Sequence, residues 1–487
     1  MENKVSKKRK NAFSVLCDQR KRLNQGKRSK ATATLPKTAE CPVCFRSFEC
    51  KKLELHVQNH FLAKKKVSRK SVEKCGIKQL SKVSTVSSPG QTASNALQHI
   101  MDKAKQKPRK EFFHLDKPTQ AIPVHSCRWN VEHMAEKGVW RSETSITRDK
   151  TIGYQAGVLV ITTNEAPPSD GARLLLLQPA MPENISVSVI KSALQKNVRR
   201  RRGDQAARCA FWLMKKSFTD FIRRLPVIIL EDSVLNPQFA VVVWFMVAES
   251  KGYTPSNKDA HYLVNIVKQI ALCKYRDPLP EFSDEDALKI NAFGTKGCDD
   301  LSGQKGVLCR AILCRARFGG MRGDVSMLIK YAFLWHRRFR GSDHDPIPPA
   351  IGNGLSQTCS DGNQWMSLVQ SVHVPFTPLA FSDFRNLGKK DIPLAGVDFH
   401  CIPKIIDTAV SAYAKKVKEP INSDTPGNLK SAMWYFSSSV NHKLLLDGGK
   451  TASSGTLEDR RKLLPLWSKC SPFIIEFQRN YLDARFR

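Results

Sequence analysis

One stretch of this sequence, PQFAVVVWFMVAES, is apolar on nearly every side when it is drawn as a helix. Its apolar run, residues 239–248, is about half as long as a helix that spans a bilayer, so we expect no membrane partner. A helix with no polar face must be buried inside the protein or against another chain. The stretch therefore requires a sizeable body around it, and a chain of 487 residues has room for one large core or two ordinary ones.

Apolar residues recur at helical spacing on both sides of this stretch, from residue 184 to 339 and again from 402 to 482. Two short apolar runs, 156–163 and 172–179, enclose a turn rich in Pro, Gly and Asp, which predicts a small β-hairpin. We therefore expect a mainly α body, α+β at most, that includes one small hairpin.

The positive charge of the chain is concentrated near its start. Residues 1–110 contain 28 Lys and Arg against 7 Asp and Glu, a net charge of +21, while the other 377 residues contain 51 against 37, a net charge of +14. A basic tail on a moderately basic body is typical of proteins with a polyanionic partner, most often nucleic acid, and we expect DNA. The alternative is a solvated, disordered lysine-rich tail with no specific partner.

Two basic clusters in this tail predict where the protein is found. KKRK at 7–10 is followed by RKR at 20–22, with KRSK at 27–30 close behind. Basic clusters separated by about ten residues match a bipartite nuclear import signal. A mitochondrial presequence would favour arginine on an amphipathic helix, whereas this tail has lysine in blocks, so we predict the nucleus.

The segment CPVCFRSFECKKLELHVQNH, residues 41–60, has the ligand spacing of a zinc finger. Cys41, Cys44, His56 and His60 supply two thiolates and two imidazoles in a C-x2-C…H-x3-H arrangement, which predicts a tetrahedral Zn²⁺ site in a small ββα-like fold. Four protein ligands leave no open position for a reacting water, so the zinc is structural. Eleven residues separate Cys44 from His56, one fewer than in most DNA-reading fingers.

The finger and the composition together divide the chain. Residues 1–37 form a disordered basic tail, 38–62 the finger, and 63–118 a basic linker containing Ser and Thr. Residues 119–487 form the helical body. A loop rich in Pro and Gly at 341–363 marks where this body would divide if it contains two domains.

The spacing of this finger resembles that of the ubiquitin-binding zinc fingers (UBZ class) of DNA-damage-tolerance proteins. After CPVC come three residues, an apolar residue, four more, and then L-x-x-H. The resemblance implies a ubiquitin or ubiquitin-like partner, held by the finger helix through Leu55, Gln58 and Asn59. Those fingers often have an aspartate where this chain has Gln58. Another protein, or DNA, remains the alternative ligand of the finger.

A second resemblance covers residues 189–237, VIKSALQKNVRRRRGDQAARCAFWLMKKSFTDFIRRLPVIILEDSVLNP. This order of helices and turns is similar to the C-terminal helical region of the Werner-helicase-interacting ATPase and of the bacterial replication-fork clamp-loader-like ATPases. The resemblance implies scaffolding and self-association. It does not extend to ATP hydrolysis: Gly449, Lys450 and Thr451 imitate the end of a phosphate loop, but Leu444 stands where the loop needs its first glycine.

The same region carries eight basic residues that we predict contact nucleic-acid phosphates without reading bases. The alternative is a solvated face whose cations pair with Glu231 and Asp232. The predicted contact residues are Arg199, Arg200, Arg201, Arg202, Lys215, Lys216, Arg223 and Arg224.

One further stretch, GVDFHCIPKIID, raises the question of catalysis. Asp398, His400 and Cys401 fall within four residues, and these side chains could bind a metal or activate a thiol. A helix cap followed by buried side chains accounts for the stretch equally well.

Taken together, these features predict a nuclear accessory or scaffold protein of DNA replication or repair. Its finger would bind a protein and its basic segments would contact DNA non-specifically. Two alternatives are a DNA-binding transcriptional or chromatin regulator, and a metal-dependent nuclease or other enzyme centred on Asp398 and His400.

Overall fold

The structure is a computed structural model of the whole chain, and two compact units divide it, Met1–Met101 and Asp102–Arg487. The residues described are 38–40, 47–49, 109–118, 124–130, 138–146, 157–168, 184–296, 298–341, 351, 361–376, 386–417, 424–440, 442–443 and 457–486.

In the first unit the described residues form one antiparallel hairpin, β1 (Thr38–Glu40) and β2 (Ser47–Glu49). Its innermost pair is Glu40 opposite Ser47, so the connection between the strands is residues 41–46. The tail and the helical part of the predicted finger lie outside the described residues.

The second unit is mostly helical, with a four-stranded sheet ordered β4-β3-β6-β5. Its strands are β3 (Arg109–Asp116), β4 (Ser126–Trp129), β5 (Trp140–Ile146) and β6 (Gly157–Thr163). β3 and β6 run parallel, with Phe113 opposite Ile161, and the two outer pairs are antiparallel.

This sheet corrects two expectations. The run at 156–163 supplies β6, which pairs with β3 and β5 and not with a strand from 172–179, a segment outside the described residues. The β element is therefore a mixed sheet and not a small hairpin. β3 also lies within residues 63–118, so the body begins by Arg109 and the predicted linker is shorter.

Twelve described helices follow the sheet. They are α1 (Val187–Arg199), α2 (Gly203–Lys216), α3 (Phe218–Asp232), α4 (Phe239–Glu249), α5 (Asn257–Leu272), α6 (Asp284–Lys296), α7 (Gly303–Arg317), α8 (Arg322–Phe339), α9 (Gly362–Ser371), α10 (Lys404–Val417), α11 (Thr425–Ser437) and α12 (Leu457–Asp483).

The apolar stretch that opened the analysis is α4, and it lies at the centre of the main core. Every residue from Phe239 to Ala248 is at most 3% exposed, as the absence of a polar face predicted. Trp244 donates its indole N–H to the carbonyl oxygen of Phe113, 3.2 Å away, which ties the helix to the central strand of the sheet. In the described part of the chain, no helix is long and apolar enough to cross a bilayer.

The body has two hydrophobic cores, but they do not divide at the loop 341–363. α8 and α9 lie on either side of that loop and share the main core, where the guanidinium of Arg338 lies between the rings of Trp335 and Trp365. A second, smaller core forms among α10, α11 and α12, with Ile405 and Leu429 fully buried in it. The C-terminal helices thus have a packing core of their own, while α1 and α3 belong to the main core, which Leu482 at the end of α12 also joins.

Candidate nucleic-acid interface

A cleft of about 850 Å³ opens where the main core meets the C-terminal helices. α1 and α3 line it from the main core, and the turn at 398–401 and the end of α11 line it from the C-terminal side. Six cations and four carboxylates face the cleft, a net charge of +2. They are Lys191, Lys196, Arg199, Arg223, Arg224 and Arg315, against Asp220, Glu231, Asp324 and Asp398.

Arg199, the first of the four consecutive arginines, is structural. Its side chain is 8% exposed, and its Nε donates to the carboxylate of Asp232, 2.6 Å away and fully buried. A second guanidinium nitrogen lies 3.0 Å from Glu231. Two carboxylates at the end of α3 draw Arg199 inward, which agrees with the alternative of cations paired with Glu231 and Asp232.

Arg200 binds the end of α11 and the residues that follow it, a segment that spans 437–440. Its Nε donates to the hydroxyl of Ser439 at 2.7 Å, and a terminal nitrogen donates to the carbonyl oxygen of Ser437 at 3.2 Å. Arg276 donates to the carbonyl oxygen of Val440 at 2.9 Å. Because guanidinium groups supply several donors in a fixed plane, they suit a segment whose carbonyl groups lack helical partners.

The third and fourth arginines, with His442, form what we call the junction cluster (Arg201, Arg202 and His442). Arg202 is exposed at the start of α2, and Arg201 has a left-handed backbone conformation, φ 59°. Burial lowers the pKa of His442, and the neighbouring charges of Arg200, Arg201, Arg202 and Lys443 lower it further. Positive charges crowd together here, so an anion would relieve their repulsion.

Arg201 also has a side-chain donor without a described acceptor. Its Nε is buried and has no hydrogen-bond partner among the described residues. A buried donor without an acceptor costs about 1–3 kcal/mol.

The remaining predicted contact residues divide into two groups. Arg223 and Arg224 line the cleft, where Arg224 lies 3.6 Å from Glu231 and 3.5 Å from Asp324. Lys215 lies over the ring of Trp212, and Lys216 donates to the carbonyl oxygen of Ile185. Both lysines are on α2, and neither one lines the cleft. The alternative of cations paired with Glu231 and Asp232 thus describes Arg199 and Arg224, but not the junction cluster.

The turn that begins at Asp398 has the geometry of a cap. One carboxylate oxygen accepts the backbone N–H groups of His400 and Cys401, at 2.9 and 3.3 Å. The other accepts from Ser192 at 3.2 Å and from the ammonium group of Lys196. Burial alone would raise the pKa of Asp398, but the hydrogen bond from His400 and the charge of Lys196 outweigh it and hold that pKa well below its usual range.

This turn lacks the chemistry of an activated thiol. Burial, with the nearby charge of Asp398, raises the pKa of Cys401 to about 11, so the sulfur stays protonated near neutral pH. In the part of the chain that the structure describes, no group of three His, Cys, Asp or Glu side chains could hold a metal ion. The geometry therefore favours the cap over the catalytic interpretation of Asp398, His400 and Cys401.

The finger ligands Cys41, Cys44, His56 and His60 lie outside the described residues, as do Leu55, Gln58 and Asn59. What the structure gives is the backbone around the first pair. β1 ends at Glu40 and β2 begins at Ser47, so both cysteines belong to the connection of an antiparallel hairpin.

Two parts of the site were not anticipated from the sequence. Trp434, in the last turn of α11, is 37% exposed and lines the cleft, and His442 belongs to the junction cluster. The aromatic run MWYFSSS contained a signal for the first, since three successive aromatic residues on a helix cannot all face one core. His442 joins the arginines only through tertiary packing.

Replacing Arg199 by glutamine should lower the free energy of unfolding by roughly 3–5 kcal/mol, because Asp232 would remain buried without its cation. Arg202→Gln, at an exposed position of the same arginine run, should change it by less than about 0.5 kcal/mol. Urea unfolding of the full chain, followed by circular dichroism, measures both. A midpoint for Arg199→Gln equal to that of the unmodified protein would contradict the structural role of this pair.

Comparison with known proteins does not assign a family. No protein-family model, no curated protein and no solved structure matches this chain. The resemblances of the finger and of residues 189–237 therefore stay predictions.

Proposed function

We propose that this protein is a nuclear accessory or scaffold protein of DNA replication or repair. It contacts nucleic-acid phosphates through the junction cluster and uses a zinc finger to bind a protein partner. The observation that carries the proposal is the gathering of Arg201 and Arg202 beside His442, whose pKa their charges lower, with Arg202 exposed and with an Arg201 Nε that has no acceptor among the described residues.

A cluster of this kind suits a phosphate better than a carboxylate side chain of the same protein. A phosphate offers several oxygens to donors arriving from different directions, and arginine binds it with two parallel hydrogen bonds. Phosphate contacts position a protein on nucleic acid without reading its sequence. The basic tail, with its net charge of +21 over residues 1–110, adds long-range attraction to the same polyanion.

The finger supplies the second half of the proposal. Cys41 and Cys44 would bind Zn²⁺ from the connection of the β1–β2 hairpin, with His56 and His60 completing the site. The bound metal would supply the folding free energy that a segment of about twenty residues cannot gain by burying apolar side chains. Leu55, Gln58 and Asn59 on the same segment are the proposed contacts to ubiquitin or another protein.

DNA binding gives the direct test of the junction cluster. Replacing Arg201 and Arg202 together by glutamine should weaken binding of the full chain to duplex DNA about equally for unrelated sequences. The slope of log affinity against log salt concentration should fall by about 2, because two phosphate contacts are lost. Fluorescence anisotropy with labelled duplexes over a range of salt concentrations measures both quantities.

The matched control is Lys251→Gln with Lys258→Gln, which removes the same charge from two exposed positions. Lys258 lies in the first turn of α5, about 20 Å along the helix from Leu272, the residue that contacts Gly203 beside the cluster. An arginine variant with an unchanged salt slope would mean that the phosphates are bound elsewhere. A strong dependence on one base sequence would instead favour a transcriptional or chromatin regulator.

Metal content tests the finger separately. The purified full chain should contain about one zinc ion, and Cys44→Ser should lose it, because three ligands bind the metal far more weakly than four. Cys50→Ser is the matched control, since it removes a thiol from the same segment but outside the ligand pattern. Equal zinc content in the two variants, measured by mass spectrometry of the metal, would contradict the proposed site.

A further inference from the structure

We propose that the cleft beside the junction cluster binds unpaired nucleotides of single-stranded nucleic acid, with Trp434 stacking on a base. The inference rests on the proposed function and deepens it, because it names the form of nucleic acid that this protein holds. It is carried by the aromatic side chains at the mouth of the cleft, by the charges inside it and by its position next to the junction cluster.

The aromatic side chains come from the C-terminal side of the cleft. Trp434 is 37% exposed, and among the described Phe, Tyr and Trp residues it is the only one with so large an exposed fraction. Across the cleft lining, the side chain of His400 is 66% exposed and packs at a tilt against Phe399, with ring centroids 4.1 Å apart. Exposed aromatic faces beside cations are the combination with which proteins bind single strands.

Exposure of this tryptophan is not explained by packing. Its neighbour Met433 is 1% exposed in the core of the C-terminal helices, so α11 already presents its apolar face there. Trp434 instead faces the cleft, where a base could cover it. Stacking on one aromatic side chain is worth about 1–3 kcal/mol per base and tolerates any base, which agrees with phosphate contacts that read no sequence.

The size and the charge of the cleft favour unpaired nucleotides over a duplex. A volume of about 850 Å³ is within the range of sites that enclose a small molecule. A duplex keeps its base faces covered by stacking, so it offers nothing to Trp434. Lys191, 2.8 Å from Asp220, and Arg223, which donates to the carbonyl oxygen of Phe318, are partly exposed in the cleft, and cations outnumber carboxylates in its lining, which suits the phosphate of an entering nucleotide.

The cleft and the junction cluster are joined by residues 437–440. Ser437 and Ser438 line the cleft, and Arg200 binds Ser437 and Ser439 from the helix junction. A strand that enters the cleft therefore needs to cross only this segment to reach Arg201 and Arg202. The two surfaces can therefore bind different phosphates of one strand.

The test compares single-stranded and duplex DNA on the full chain. Anisotropy with a labelled thymidine oligonucleotide should give an affinity about fivefold to a hundredfold lower for Trp434→Ala, while the affinity for duplex DNA changes less than about twofold. Trp434→Phe keeps an aromatic face and should recover most of the loss. Leu464→Ala, which truncates a side chain 49% exposed on α12 and outside the cleft, should change neither affinity.

Each other outcome overturns the inference in a recognisable way. Equal losses for single strands and duplexes would mean that Trp434 acts through the fold, and Trp434→Phe as weak as Trp434→Ala would exclude stacking. An unmodified protein that binds duplex DNA but not the oligonucleotide would refute the inference and leave the proposed function standing. Binding to neither form of DNA would refute both.

Discussion

The buried ion pair between Arg199 and Asp232 is the interaction on which the arrangement of the site depends. Both side chains are largely removed from water, and a buried charge is tolerated only when its partner and its hydrogen bonds are in place. The pair fastens the end of α1 to the end of α3. Arg199 also donates to the carbonyl oxygen of Ser438 at 3.4 Å, so the same guanidinium reaches the segment that leads out of α11. One guanidinium group therefore contacts both α3, which lines the cleft from the main core, and the segment at the end of α11, which lines it from the C-terminal side.

The four consecutive arginines, residues 199–202, also have different roles because of this pair. Two carboxylates draw Arg199 inward, and Arg200 donates hydrogen bonds to the segment 437–440. Arg201 and Arg202 follow, between the end of α1 and the start of α2. Among the described residues, neither arginine forms an ion pair with a carboxylate. Their charges lower the pKa of His442 and leave an excess of positive charge at the helix junction. A structural pair and a candidate binding site are therefore built from one RRRR sequence.

The sequence predicted the parts of the fold that depend on local pattern. A helix with no polar face had to be buried, and α4 is, because burial of an apolar surface needs no particular partner. The sheet was misjudged because β3 lies in a basic stretch and pairs with β6 some fifty residues later, a contact that no local pattern encodes. Likewise, the composition of RRRR indicated phosphate contacts, but burial of Arg199 depends on Glu231 and Asp232 from another helix. From the sequence, Asp398 could be either a helix cap or a catalytic acid. The four hydrogen bonds that its carboxylate accepts in the structure favour the cap.

The central claim is that the folded body, and not the basic tail alone, holds a nucleic-acid strand. Ultraviolet crosslinking of the full chain to a photoreactive single-stranded oligonucleotide, with mass spectrometry of the crosslinked peptides, tests it most directly. The account predicts crosslinks at Trp434 and in peptides that contain Arg201, Arg202 or His442. Crosslinks confined to residues 1–110 would contradict it.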